Sequence, residues 1–258
     1  MSIAEKLTTI AENEQKVFDA GRRQGDFEGY TRGLVDGYND GAQAEYDAFW
    51  DAYQQNGKRT GYYNLFAWGG WNGKTFKPKY NMQPIDAGQM FYQFNRNEDG
   101  NDTVSLVELL NNAGVTLDFS KATSLSYCFQ NAKVRHIGIV DLSSAKNVNA
   151  VFANTYWLNK IDKIIVNENN VFDTNCFLNC SASEIIFEGV LTSSIRLTYS
   201  TVLSKESIES VISTLSTATT GKTVTLNSTA VARAFGSTSS QEWLNLIATK
   251  SNWTITLS

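Results

Sequence analysis

The chain has two prolines, three cysteines and one histidine in 258 residues. Each scarcity excludes something. Cys128, Cys176 and Cys180 are too few for a disulfide framework. Cys176-x-x-x-Cys180 has no second pair and no neighbouring histidine, so it does not make a zinc set. Any Ser-His-Asp or Cys-His system would have to use His136, inside Lys133-Val-Arg-His-Ile137. No apolar run approaches membrane-spanning length, and Met1-Ser-Ile-Ala-Glu-Lys6 has no apolar signal core. The expectation is a protein without a membrane span or cleaved leader, assembled in a cytoplasm. A net charge of −4 and a pI near 5.1 leave no broad basic surface for nucleic acid or anionic lipid. P-loop, dinucleotide, HExxH and EF-hand patterns are absent. The sequence therefore predicts no enzyme, no cofactor and no metal.

What is present is a repeat. With 42% hydrophobic and 12% aromatic residues, the chain can bury a sizeable core. Val115–Phe129, Ile139–Phe152 and Ile164–Phe177 are three copies, the last degraded. Their final phenylalanines, Phe129, Phe152 and Phe177, lie 23 and 25 residues apart. Phe119, Leu142 and Val166 keep a similar step. A period in the low twenties predicts a leucine-rich-repeat-like solenoid with stacked phenylalanines. Met90-Phe91 reads as a fourth anchor, 38 residues before Phe129 because a helix over 103–114 is inserted.

Before the repeats, Ile3, Leu7, Ile10, Glu14 and Val17 follow a heptad spacing. Leu7 at a, with Ile3, Ile10 and Val17 at d, favours three or four strands. An amphipathic helix lying on its own domain is the plainer alternative. Gly21, Gly25, Gly29, Gly33, Gly37 and Gly41 then recur every fourth residue. On a helix they form one stripe, which allows close approach of a partner. Residues 58–83 form an aromatic junction, in which Trp68 and Trp71 either cap the core or stack on a sugar. After the repeats, Ser204 reads as an N-cap and Ser239-Ser-Gln-Glu242 as a capping box, with strands at Thr223–Asn227 and Trp253–Leu257. The predicted fold class is α+β: a long N-terminal helix as a coiled-coil, glycine-stripe stalk (1–56), an aromatic junction (57–83), a short leucine-rich-repeat-like β solenoid (84–203) and a C-terminal α/β cap of helix-strand-helix-strand (204–258).

Catalysis has weak candidates. Asp118 and Asp141 could be a glycosidase pair, but they recur at one place in successive repeats. Recurrence fits a turn-bonding job better than two catalytic roles.

The phrases Asp118-Phe-Ser120 with Cys128-Phe129, Asp141-Leu-Ser143 with Val151-Phe152, and Met90-Phe91 resemble the BspA-type leucine-rich repeat of bacterial surface proteins. The third copy departs, with Asn167 in place of the aspartate. The wider chain, in Ala44–Gln54, Thr75–Tyr80 and Ile161–Ile165, resembles phage- and prophage-encoded proteins of gut Firmicutes. That resemblance implies a virion structural or attachment protein. The expectation is a homo-oligomer, a trimer, held through Ile3, Leu7, Ile10, Val17 and the glycines from Gly21 to Gly41. Its N-terminal helix would meet other virion proteins. Its solenoid would project towards a host-surface glycan or protein, with Trp68 and Trp71 as glycan candidates. The alternative is a surface adhesin of the BspA type.

Overall fold

A computed structural model describes residues 76–96 and 102–258, with the separate positions Gly41, Gln43, Ala44, Asp47, Tyr62, Leu65, Phe66, Ala67 and Gly73. Three stretches rich in β-branched residues make the main strands: β2 (Val134–Asp141), β3 (Lys160–Val166) and β4 (Glu184–Gly189). The two-residue β1 (Val104–Ser105) lies beside β2, giving a four-stranded parallel sheet in the order β1-β2-β3-β4. Ile137, Ile161 and Ile185 stand in one buried row across it, and Val140, Ile164 and Phe187 in the next. A second parallel sheet follows, β5 (Ile195–Leu197), β6 (Lys222–Leu226) and β7 (Trp253–Leu257), in that order. Four short helices serve these sheets among the described residues: α1 (Leu106–Ala113), α2 (Lys205–Thr214), α3 (Ser228–Phe235) and α4 (Gln241–Ala248).

The helix ends follow from local chemistry. Ser105, Ser204, Asn227 and Ser240 are the N-caps, each accepting a backbone N–H from the first turn. At α4 the cap is Ser240, one residue later than the expected box, since its hydroxyl takes the Trp243 N–H. Helix α1 stops at Gly114, whose φ of 67° closes the turn with bonds to Asn111 and Leu110 carbonyls.

The α+β assignment does not hold. Every strand pairing in both sheets is parallel, so the fold is α/β with parallel sheets and four short helices among the described residues. Parallel neighbours need a long return connection, and the repeat supplies one on every pass. The closing unit is also helix-strand-helix-helix-strand, because α3 and α4 both precede β7. The expected long N-terminal helix falls where the structure is not described: residues 1–40, holding Ile3, Leu7, Ile10, Val17, Gly21, Gly25, Gly29, Gly33 and Gly37, lie outside the described residues, as do Trp68 and Trp71. Gly41 is described, buried in helical backbone.

The repeat phenylalanines form a column. Phe91, Phe129, Phe152 and Phe177 stack with centroids 5.3, 5.9 and 5.2 Å apart. Phe66 extends the column, 5.4 Å from Phe91. Alternate residues hold one coil to the next. Leu125, Tyr127, Phe129 and Asn131 donate their N–H groups to the carbonyls of Asn147, Asn149, Val151 and Ala153. The residues between them bond within the coil, Cys128 to Leu125 and Gln130 to Tyr127. This alternation needs left-handed backbone on both sides of the ring, as at Tyr127 and Asn131 (both φ 59°). Asn154 and Asn179 repeat the second of these positions, and asparagine tolerates that region better than most residues.

Candidate functional site

Three places among the described residues concentrate polar or aromatic side chains. The first is the outer face of the four-stranded sheet. There Ser105, His136 and Asp162, from adjacent strands, fall in line: Ser105 Oγ lies 3.5 Å from His136 Nδ1, and His136 Nε2 lies 2.9 Å from Asp162 Oδ1. The residue types are those of a nucleophilic triad, but the geometry is not. Ser105 is only 2% exposed, and its Oγ accepts the Glu108 N–H as the N-cap of α1. A nucleophile must reach a substrate carbonyl, and this hydroxyl is covered. The rest of the face is an ion ladder. Lys160 pairs with Glu184 at 3.1 Å and Asp162 at 3.6 Å, Lys163 with Glu188 at 2.5 Å, and Arg135 with Glu108 at 2.5 Å. Charges matched in this way neutralise the face and pin strand register more than they add stability.

The second place is the set of turns. Asp118 Oδ1 accepts the Ser120 N–H and Asp141 Oδ1 the Ser143 N–H, each at 2.8 Å. Asn167, the departure from the pattern, does the same for Asn169 at 2.7 Å. Its amide also donates to the Ser143 carbonyl, which a carboxylate could not do. These are Asx turns at one repeat position, not a catalytic pair. The cysteines are buried, and desolvation raises all three thiol pKa values, so thiolate is scarce at neutral pH.

The third place is the corner between the phenylalanine column and the strands. Tyr156 and Trp157 follow Phe152 there, 54% and 38% exposed, with rings 5.8 Å apart and nearly perpendicular. Asn179 on the next coil donates to the Tyr156 hydroxyl at 3.1 Å and to Asn154 Oδ1 at 2.8 Å. Ser181 Oγ donates to the Tyr156 carbonyl. Lys133 sits 5.6 Å above the Trp157 ring. The following pass runs alongside, with Ser200 Oγ bonded to the Cys180 carbonyl and the Ser204 N–H to the Ser183 carbonyl. It adds exposed Tyr199 and Val202. A cavity of about 390 Å³ opens beside them, bordered by Ser183, Glu184, Ser204, Lys205 and Arg233. Arg233 is tied to the Val202 and Leu203 carbonyls, and Lys205 to Glu242. The corner thus offers flat apolar faces beside hydroxyls and amides on a fixed frame. Such groups can stack on and hydrogen-bond a ligand.

The expected glycan contacts, Trp68 and Trp71, are outside the described residues, and the corner is a site that sequence reasoning missed. Its signal is a one-residue insertion: Ile161 follows Phe152 by one residue more than Ile137 follows Phe129, although the isoleucines pair in the sheet. No protein-family model, no curated protein and no solved structure matches the chain. Among the described residues no helix is long and apolar enough to cross a membrane.

Proposed function

We propose that this chain is a non-enzymatic virion structural protein, an oligomeric fibre or attachment protein of a phage particle, whose repeat region projects outward to bind a host surface. The observation that carries the reading is the exposed Tyr156–Trp157 corner, held on stacked, hydrogen-bonded coils. A rigid array presenting aromatic faces beside amides and hydroxyls suits weak contacts to a surface glycan or protein. Several copies on one particle add those contacts by avidity. The resemblance of Ala44–Gln54 and Thr75–Tyr80 to phage-encoded proteins supports the particle context. The N-terminal segment is the part that meets other virion proteins.

Two measurements test this. Antibodies against the repeat region, applied to particles induced from a lysogen carrying the gene, should label a projecting structure in electron micrographs. Unlabelled particles would remove the virion assignment. A Tyr156→Ala/Trp157→Ala variant should then lose adhesion of the purified protein to host cells while keeping its melting temperature. Undiminished adhesion would move the binding site elsewhere.

A further inference from the structure

The two sheets end differently. The far edge of β4 is closed by serines of α2: Ser207 Oγ accepts the Ile185 N–H at 2.9 Å, and Ser210 Oγ the Phe187 N–H at 3.0 Å. Two hydroxyls there take the place of a further strand. The outer strand of the second sheet, β7, has no such cover among the described residues. Ser258 N–H donates to the Leu226 carbonyl at 3.0 Å, so Ser258 faces β6. Alternation along the strand then turns the N–H and C=O groups of Ile255 and Leu257 outward.

An open edge is normally blunted by charge, proline or a bulge. Trp253-Thr-Ile-Thr-Leu257 has none of these, and it pairs with β6 in unbroken register. The nearest lysine along the chain, Lys250, is drawn onto the Ser213 and Leu215 carbonyls, and Lys222, beside Trp253, is on β6 and not on the open edge. The side chains show the same incompleteness. Ile195 and Val224 are buried and their neighbour Ile255 is half-buried; Leu197 and Leu226 are buried and Leu257 is half-buried. Each apolar row runs one strand short of cover.

We propose that β7 pairs antiparallel with β7 of a second copy of this chain, about a two-fold axis at Ile255, joining two three-stranded sheets into one of six strands. The strand is its own complement. Ile255 of one copy faces Ile255 of the other, each donating its N–H to the other's carbonyl. Leu257 N–H reaches the Trp253 carbonyl of the other copy, whose own N–H is already used by Lys250. Thr254 stands beside Thr256 on the solvent face, and the half-buried isoleucines meet on the helix side. A shift of one residue would turn the bonding groups away from each other, and a shift of two would leave strand ends unpaired. A foreign strand would need the same uncharged alternation; a second copy brings it by symmetry.

The test is sedimentation of the full chain beside Ile255→Pro and Ile255→Lys. Proline at 255 removes an outward N–H and the half-buried isoleucine side chain but no bond to β6, so the β6 ladder survives and the chain stays folded, which its melting transition checks. With three copies held by the N-terminal segment, as the proposed function has it, β7 pairing joins copies of different trimers, and the expected result is a fall in particle mass of about twofold or more in both variants. A Thr254→Cys/Thr256→Cys variant should also give a disulfide-linked dimer on a denaturing gel, since the native cysteines are buried. Equal masses for the parent and both variants overturn the proposal, and so does the absence of that cross-link after oxidation.

Discussion

The rings of Phe129 and Phe152 lie 3° from parallel with centroids 5.9 Å apart. The distance is close to the spacing of neighbouring strands, about 4.8 Å. The column therefore keeps step with the sheet, and each ring fills the space under one coil.

Phe152 touches a ring above and a ring below, and none of its surface is exposed. Phe152→Ala should cost about 3–5 kcal/mol in denaturant unfolding. Val171, which is 67% exposed, serves as the control: Val171→Ala should stay within about 0.5 kcal/mol of the parent. Equal effects at the two positions would mean that the column is not the core.

Asn167 separates two explanations of the degraded third repeat. If the departure were drift, restoring the consensus by Asn167→Asp would be neutral or stabilising. The structure gives the side chain two jobs, accepting from Asn169 and donating to the Ser143 carbonyl. Aspartate keeps the first and loses the second, setting a carboxylate against a carbonyl oxygen. A loss of about 1 kcal/mol in unfolding free energy is expected.

Asp118 gives the fold an acid dependence. Partial burial opposes its charged form, but hydrogen bonds from Ser120 and Gln83, helped by Lys121, outweigh that and lower its pKa below the ordinary carboxylate value. A depressed folded-state pKa contributes stability above the unfolded value, about 3.9, and that contribution is lost as pH falls through the folded value. Asp118→Asn keeps the acceptor but cannot titrate. Unfolding curves between pH 6 and pH 2 should therefore fall less steeply for the variant than for the parent. Parallel curves would show that the carboxylate is unimportant.

The three thiols report on the whole stack. Cys128 packs beside Phe129, and Cys176 and Cys180 flank Phe177, all buried. At pH 8 a water-soluble thiol reagent should label none of them in the native protein and all three in denaturant. Fast labelling of one cysteine without denaturant would reveal a coil that opens by itself.

Parts of this fold were legible in the residues and parts were not, for physical reasons. The column was visible because phenylalanine is large and its step hardly varies. Phe91 could be aligned because Gly114 marks the end of the inserted α1. Phe66 could not, since nothing around it repeats. Strand β2 carries no clear strand signature because its buried members, Val134, Ile137 and Val140, recur every third residue instead of every second. Irregular register in the sheet breaks the usual alternation. Helix α3 escaped notice because Ser228–Phe235 carries small residues, and only Asn227 and Gly236 at its ends announce it. The class was misjudged since strands and helices look segregated until the repeats are seen to return in parallel. The Tyr156–Trp157 corner was invisible to repeat alignment because it comes from the residue that breaks the period.

The closure of β4 by Ser207 and Ser210 governs how such a chain can change in length. Helix α2 offers hydroxyls, not a strand, so no coil can be added after β4 without displacing it. Between Phe91 and Phe152, successive coils are joined by the same four backbone bonds, while the Phe177 coil keeps two of them and takes the Ala150 N–H on the Asp173 side chain. A tandem duplication of one 23-residue unit there would add one ring to the column and one strand to the sheet, leaving both ends untouched. Genetic variation in reach is thus confined to the middle of the stack. The corner beside the column would gain or lose one ledge with every such event.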